Sequence, residues 1–265
     1  MYTKIVPLNP EQFQGISFVP LSNYAFAAKE HLLPLAPEEW KFMAREAPIV
    51  FVRSGSEESP HVAPYALMGL RQGQNLFVDS QGQWRGEYVP AAVRRYPFIL
   101  AQSEDQETMV VCADMESGAF QKSKKGQALF TEDGQPTETL NTVKNFLERL
   151  QRQFQAATQF ASRLDAAGLL VDHTIEIKRQ GQEPQHITGM LRIDETKWNA
   201  LDDTSFLEWR QQGALPLVYA HLLSLGAGRG LGRLLGTAAP GTSTSPQAEQ
   251  RSSGSSGMPD SFNFG

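Results

Sequence analysis

From Leu140 onward, apolar side chains return at alternating steps of three and four: Leu140, Val143, Leu147, Leu150, Phe154, Ala157, Ala161 and Leu164. That is the period of an α-helix, held for about seven turns. Phe146 and Phe160 widen the stripe beyond a strict two-position seam. The breadth predicts packing on a sheet or on other helices, with a self-pairing coiled coil as the alternative. Pro136 suits the first turn and Gly168 the left-handed stop. After Gly168 the period falls to two. Ile175 and Ile177 alternate with Thr174, Glu176 and Lys178, residues 180–184 form a turn, and Ile187, Leu191 and Ile193 resume the alternation. This predicts a hairpin with one buried face. Asp194 then caps a short helix bearing Trp198 and Leu201, and a second helix carries Phe206, Leu207 and Trp209 up to Gly213. Residues 215–225 predict a buried helix with Pro216 in its first turn.

The first half reads as short strands with one helix. Residues 37–46 open with a proline and two acids and then present Trp40, Phe42 and Met43, the pattern of a short helix. Residues 49–52 form a buried strand. Residues 62–70 and 75–79 are expected as a hairpin around Arg71-Gln72-Gly73, and 98–101 pairs with 107–113. The order of elements predicts an α+β fold: a mixed or antiparallel sheet packed by one long amphipathic helix and several short helices. It occupies residues 1–235 as a single domain. Residues 236–265, rich in Ser, Gly and Pro, read as a disordered tail, since they hold too little apolar surface to offset their ordering entropy. Phe262 and Phe264 restore two aromatics within it, a candidate docking peptide for a partner.

Charge and composition narrow the function classes. A net charge of −5 over 265 residues argues against a nucleic-acid ligand. No apolar run reaches the roughly 18 residues that span a bilayer, and the N-terminus lacks a signal-peptide core, so a cytoplasmic protein without membrane insertion is expected. The single cysteine, Cys112, excludes an intrachain disulfide and sits in an apolar run as a buried small hydrophobe. His31, His61, His173, His186 and His221 show no ligand spacing, so no metal or cofactor is expected. Asp114 and Glu116 read as a solvated loop, Lys122, Lys124 and Lys125 as a basic surface run, and the glycines of 226–232 as fraying at a helix end.

One segment concentrates chemistry. Residues 84–98 hold four aromatic side chains, three arginines and two prolines. Pro90 opens one helical turn and Pro97 closes it, which makes a rigid elbow carrying cations. Trp84, Tyr88, Arg94, Arg95 and Tyr96 are the candidate ligand-binding residues: guanidiniums fork onto carboxylate or phosphate, and rings stack on the ligand or on the arginines. The bland account of the same residues is an aromatic–arginine clamp that fixes the elbow.

Several motifs carry a resemblance. His31-Leu32-Leu33-Pro34-Leu35, Pro48-Ile49-Val50-Phe51-Val52, Leu76-Phe77-Val78-Asp79 and the 84–98 block come first. Leu129-Phe130-Thr131-Glu132-Asp133-Gly134-Gln135-Pro136-Thr137, Gly189-Met190-Leu191-Arg192-Ile193-Asp194-Glu195 and Tyr219-Ala220-His221-Leu222-Leu223-Ser224-Leu225 follow in order. With these the chain resembles the bacterial SapC family of surface-layer operons, and not the peptide-transport permease of the same name. The resemblance implies gene-context links to surface-layer protein export and to flavin-type halogenase and oxygenase clusters. It carries over no catalytic residue. The expected function is therefore a cytoplasmic accessory or binding protein beside a surface-protein secretion or a modification system, whose partner is a protein, a peptide or an anionic small molecule. The alternative is an enzyme of unassigned chemistry acting on an acidic or peptide substrate through the Arg94–Arg95 region.

Overall fold

Short strands and one long helix build the molecule in a computed structural model that describes residues 1–56, 59–103, 108–122, 125–177 and 185–236. The strands are β1 (Ile5–Pro7), β2 (Ser17–Phe18), β3 (Leu32–Pro34), β4 (Ile49–Ser56), β5 (Ser59–Leu67), β6 (Phe98–Gln102), β7 (Met109–Asp114), β8 (Phe120–Gln121), β9 (Gln127–Ala128), β10 (Leu170–Ile177) and β11 (Gln185–Ile193). The helices are α1 (Pro10–Phe13), α2 (Trp40–Met43), α3 (Ala91–Arg94), α4 (Glu138–Ala166), α5 (Glu195–Asn199), α6 (Asp203–Gln211), α7 (Ala214–Ser224) and α8 (Gly228–Gly236). All strand pairings are antiparallel. The main sheet runs β10-β11-β4-β5-β3, and two three-stranded sheets run β1-β7-β6 and β8-β2-β9. The fold is α+β, as its pattern predicts.

Ile49, Val50 and Phe51 are consecutive and all fully buried, so both faces of the main sheet are covered at β4. α7 is stitched to that sheet by two side chains. His221 Nε2 accepts the Ile193 N–H at 3.0 Å, and Ser224 Oγ accepts the Ile49 N–H at 2.9 Å. Burial pushes the His221 pKa down to about 3, so the ring stays neutral and keeps its acceptor nitrogen. α4 crosses two apolar clusters. Its N-terminal half (Leu140, Val143, Phe146, Leu147, Leu150) packs with Phe13, Phe18 and Phe98. Its C-terminal part (Phe160, Ala161, Leu164) packs with Trp40, Phe51 and Trp198. Phe154 touches both clusters.

Helix ends follow local chemistry. Thr137 Oγ1 caps α4 by accepting the Leu140 N–H, which leaves Pro136 just before the cap rather than inside the first turn. Gly168 ends the helix at φ +66°. Asp194 accepts the Thr196 and Lys197 N–H groups and starts α5.

Four expectations need correction. Residues 75–79 form a loop and not a strand, because the Asn75 side chain donates to the Ala27 carbonyl and accepts the Phe77 N–H, competing with ladder pairing. The hairpin partner of β5 is instead β4. The glycine-rich 226–232 continues as helix: Leu231 is fully buried, and that burial offsets the cost of its glycine neighbours. Asp114 is fully buried, not solvated. Cys112 is buried, as expected. The 180–184 turn, Lys124 and the 237–265 segment lie outside the described residues.

Candidate functional site

The elbow forms because two carboxylates grip its backbone. Glu46 accepts the Glu87 N–H at 3.1 Å and the Tyr88 N–H at 2.9 Å. Gly86 permits that approach, since a Cβ there would lie 2.2 Å from Glu46 Oε2. Glu39, itself buried, accepts from Ala91 N at 2.6 Å, Ala36 N at 3.0 Å and Tyr88 Oη at 2.9 Å. Glu39 thereby joins the turn ahead of α2 to the elbow. Burial pushes the pKa of both carboxyls up, against the hydrogen bonds they accept. Burial and the Glu39 carboxylate likewise raise the Tyr88 phenol.

Between these two walls lies an open cleft of about 600 Å³. The Pro37–Glu39 turn and α2 supply Glu38, Lys41 and Phe42, the elbow supplies Tyr88, Val89 and Arg94, and α4 supplies Arg149. Tyr88 stacks on Phe42 with ring centroids 4.9 Å apart, and Lys41 Nζ sits 4.8 Å from the Phe42 ring. Arg94 Nε donates to the Val89 carbonyl at 3.1 Å, and its guanidinium lies over the Tyr88 and Phe146 rings. Among the described lining residues three cations thus meet one carboxylate, Glu38, whose Oε2 accepts from Gln153 Nε2 at 3.3 Å. Among its described lining residues, a larger cleft of about 750 Å³ beside β2 and β9 offsets Lys122 with Glu132.

The structure parts the five elbow residues named from sequence. Tyr88 and Arg94 line the cleft. Trp84 stands behind them, donating Nε1–H to the Tyr88 carbonyl at 3.0 Å and stacking on Phe77. Arg95 turns away, between Tyr2 and Phe154 at 5.9 and 5.8 Å, with its buried Nε lacking a hydrogen-bond partner. Tyr96 is buried, stacks on Phe26 at 4.1 Å and donates its hydroxyl to Asp114 at 3.0 Å. Asp114 also accepts the Thr3, Lys4 and Glu116 N–H groups. Burial raises its pKa, but these hydrogen bonds outweigh it and hold the carboxyl below the usual range. Burial drives the Tyr2 phenol up to about 12, against the opposing pull of Arg95. Tyr2, Arg95, Tyr96 and Asp114 therefore fasten the N-terminal strand to the elbow.

Lys41, Phe42 and Arg149 escaped the sequence reading. Phe42 was visible as part of a short helix, and Arg149 follows Phe146 by three positions at the edge of the α4 stripe. Only their meeting with Arg94 gives them a shared chemistry. Phe262 and Phe264 lie outside the described residues. Among the described residues no group of three or more His, Cys, Asp or Glu is placed to hold a metal ion. None of the described helices is long and apolar enough to cross a membrane.

A family model described as SapC matches residues 8–231. The chain belongs to the SapC family. No curated protein and no solved structure matches it.

Proposed function

We propose that this SapC-family chain is a cytoplasmic accessory binding protein, acting beside a surface-protein secretion or a modification system. Its cleft takes the carboxylate or phosphate of an acidic peptide or small anion. The observation that carries this reading is the convergence of Lys41, Arg94 and Arg149 on one cleft with a stacked aromatic wall. Arg94 is held by the Val89 carbonyl, so little side-chain freedom is lost when an anion arrives. Among the described lining residues the one carboxylate, Glu38, is exposed and already hydrogen-bonded to Gln153, which favours binding over turnover.

Calorimetric titration with pyrophosphate and with a glutamate-rich peptide tests the proposal. Charge-assisted contacts are worth about 1.5–3 kcal/mol each, so Arg94→Gln and Arg149→Gln should each weaken binding by about tenfold or more. Equal affinity in the parent and in the double variant sinks the reading. Consumption of the peptide, abolished by Glu38→Gln, would turn it toward catalysis.

A further inference from the structure

The chain leaves the described structure beside the elbow. Arg85 Nη1 donates to the Leu234 carbonyl in the last turn of α8 at 3.3 Å and to the Leu76 carbonyl at 3.4 Å. Leu234, Glu46 and Glu87 border one small cleft of about 390 Å³. Glu46 in turn accepts the Tyr88 N–H, and Tyr88 lines the cationic cleft. The exit point and that cleft therefore both border the elbow. The residues that follow are rich in Ser, Gly and Pro up to Met258, after which Asp260, Phe262 and Phe264 alternate with small or polar positions. In an extended segment this alternation places the carboxylate and both rings on one side.

We propose that residues 260–264 are a tethered ligand of the cationic cleft in the same molecule. Asp260 meets the cations at Lys41, Arg94 and Arg149, and one of the two phenylalanines adds to the Phe42–Tyr88 stack. Phe42 suits this role because it stays 46% exposed although Tyr88 stacks on it and Lys41 Nζ sits over its ring. A Ser-, Gly- and Pro-rich spacer over 237–259 reaches about 25 Å on average. Tethering raises the local concentration of the segment to the millimolar range, so a weak contact suffices to fill the cleft. External anions then enter by displacing it. This inference rests on the cleft being an anion site, as proposed above.

The test uses the full chain. Pyrophosphate affinity and amide relaxation of residues 258–265 are measured in the parent, in Arg94→Gln, and in a triple variant carrying Asp260→Asn, Phe262→Ala and Phe264→Ala. If the segment occupies the cleft, its amides are restrained in the parent and released by Arg94→Gln or by saturating pyrophosphate. The triple variant then binds pyrophosphate about five- to tenfold more tightly, because a competitor has gone. Parent-like affinity in the triple variant, with tail amides behaving as a free peptide throughout, overturns the tethered ligand while leaving an Arg94-dependent anion site intact. Restraint that grows with protein concentration places the segment on a second copy and also overturns it. If pyrophosphate binds without dependence on Arg94, the cleft reading fails and takes this inference with it.

Discussion

Asp114 and Glu39 are both buried carboxylates, yet their surroundings send them in opposite directions. Four donors hold Asp114 ionised, so its folded pKa lies below the unfolded one. Its contribution to stability is complete above the ordinary carboxylate range and disappears as pH falls through the lowered value. The Glu39 carboxyl is raised chiefly by burial, so its contribution is complete at acid pH and declines as pH rises through the raised value. Asp114→Asn should cost about 3 kcal/mol at neutral pH and flatten the acid limb of a stability–pH curve. Glu39→Gln should instead flatten the limb above the usual carboxylate range. Urea unfolding across pH 3–8 separates the two, at about 1.4 kcal/mol per unit of pKa difference. Nothing near Asp114 in sequence announces its burial. Three of its donors lie within or next to strands that only the fold brings together, with Thr3 and Lys4 more than a hundred positions away.

At the scale of elements, period was the legible signal. α4 and the β10–β11 hairpin stand where the apolar spacing puts them, α6 and α7 follow their aromatic residues and an apolar run, and α5 starts at its Asp194 cap but ends at Asn199, short of Leu201. Residues 75–79 defeated the pattern. Their apolar run matches a strand, but one asparagine amide redirects the backbone into a loop. The glycines of α8 misled in the other direction, since the burial of a single leucine, Leu231, outweighed them. The stop of α4 allows a clean measurement. Gly168 lies at φ +66° with open space around its Cα, so Gly168→Ala meets only the backbone penalty. It should lower stability by about 1 kcal/mol, readable by thermal melting.

At the scale of the whole molecule, the cationic cleft was half legible. Its elbow wall is a local cluster of prolines, rings and arginines, and of the five candidates that this density marks (Trp84, Tyr88, Arg94, Arg95 and Tyr96) only Tyr88 and Arg94 line the cleft. Its other walls come from Lys41 and Phe42 on one helix and Arg149 on another, far apart in the chain and ordinary in their own neighbourhoods. Which arginine of the Arg94–Arg95 pair faces the cleft also depends on the helical turn after Pro90, which sends one guanidinium toward α2 and the other toward Tyr2 and Phe154.

Among the described residues the Phe154 ring packs against both apolar clusters from one continuous helix. Such a splice couples the two clusters beside the Leu35–Ala36 and Ala91–Ala92 steps of the backbone. The parent should melt in one calorimetric transition, while Phe154→Ala, at a cost of about 3 kcal/mol, should let one cluster come apart before the other. A helix that is a shared beam then also ties the firmness of the cationic cleft, through Arg149, to packing at its other end.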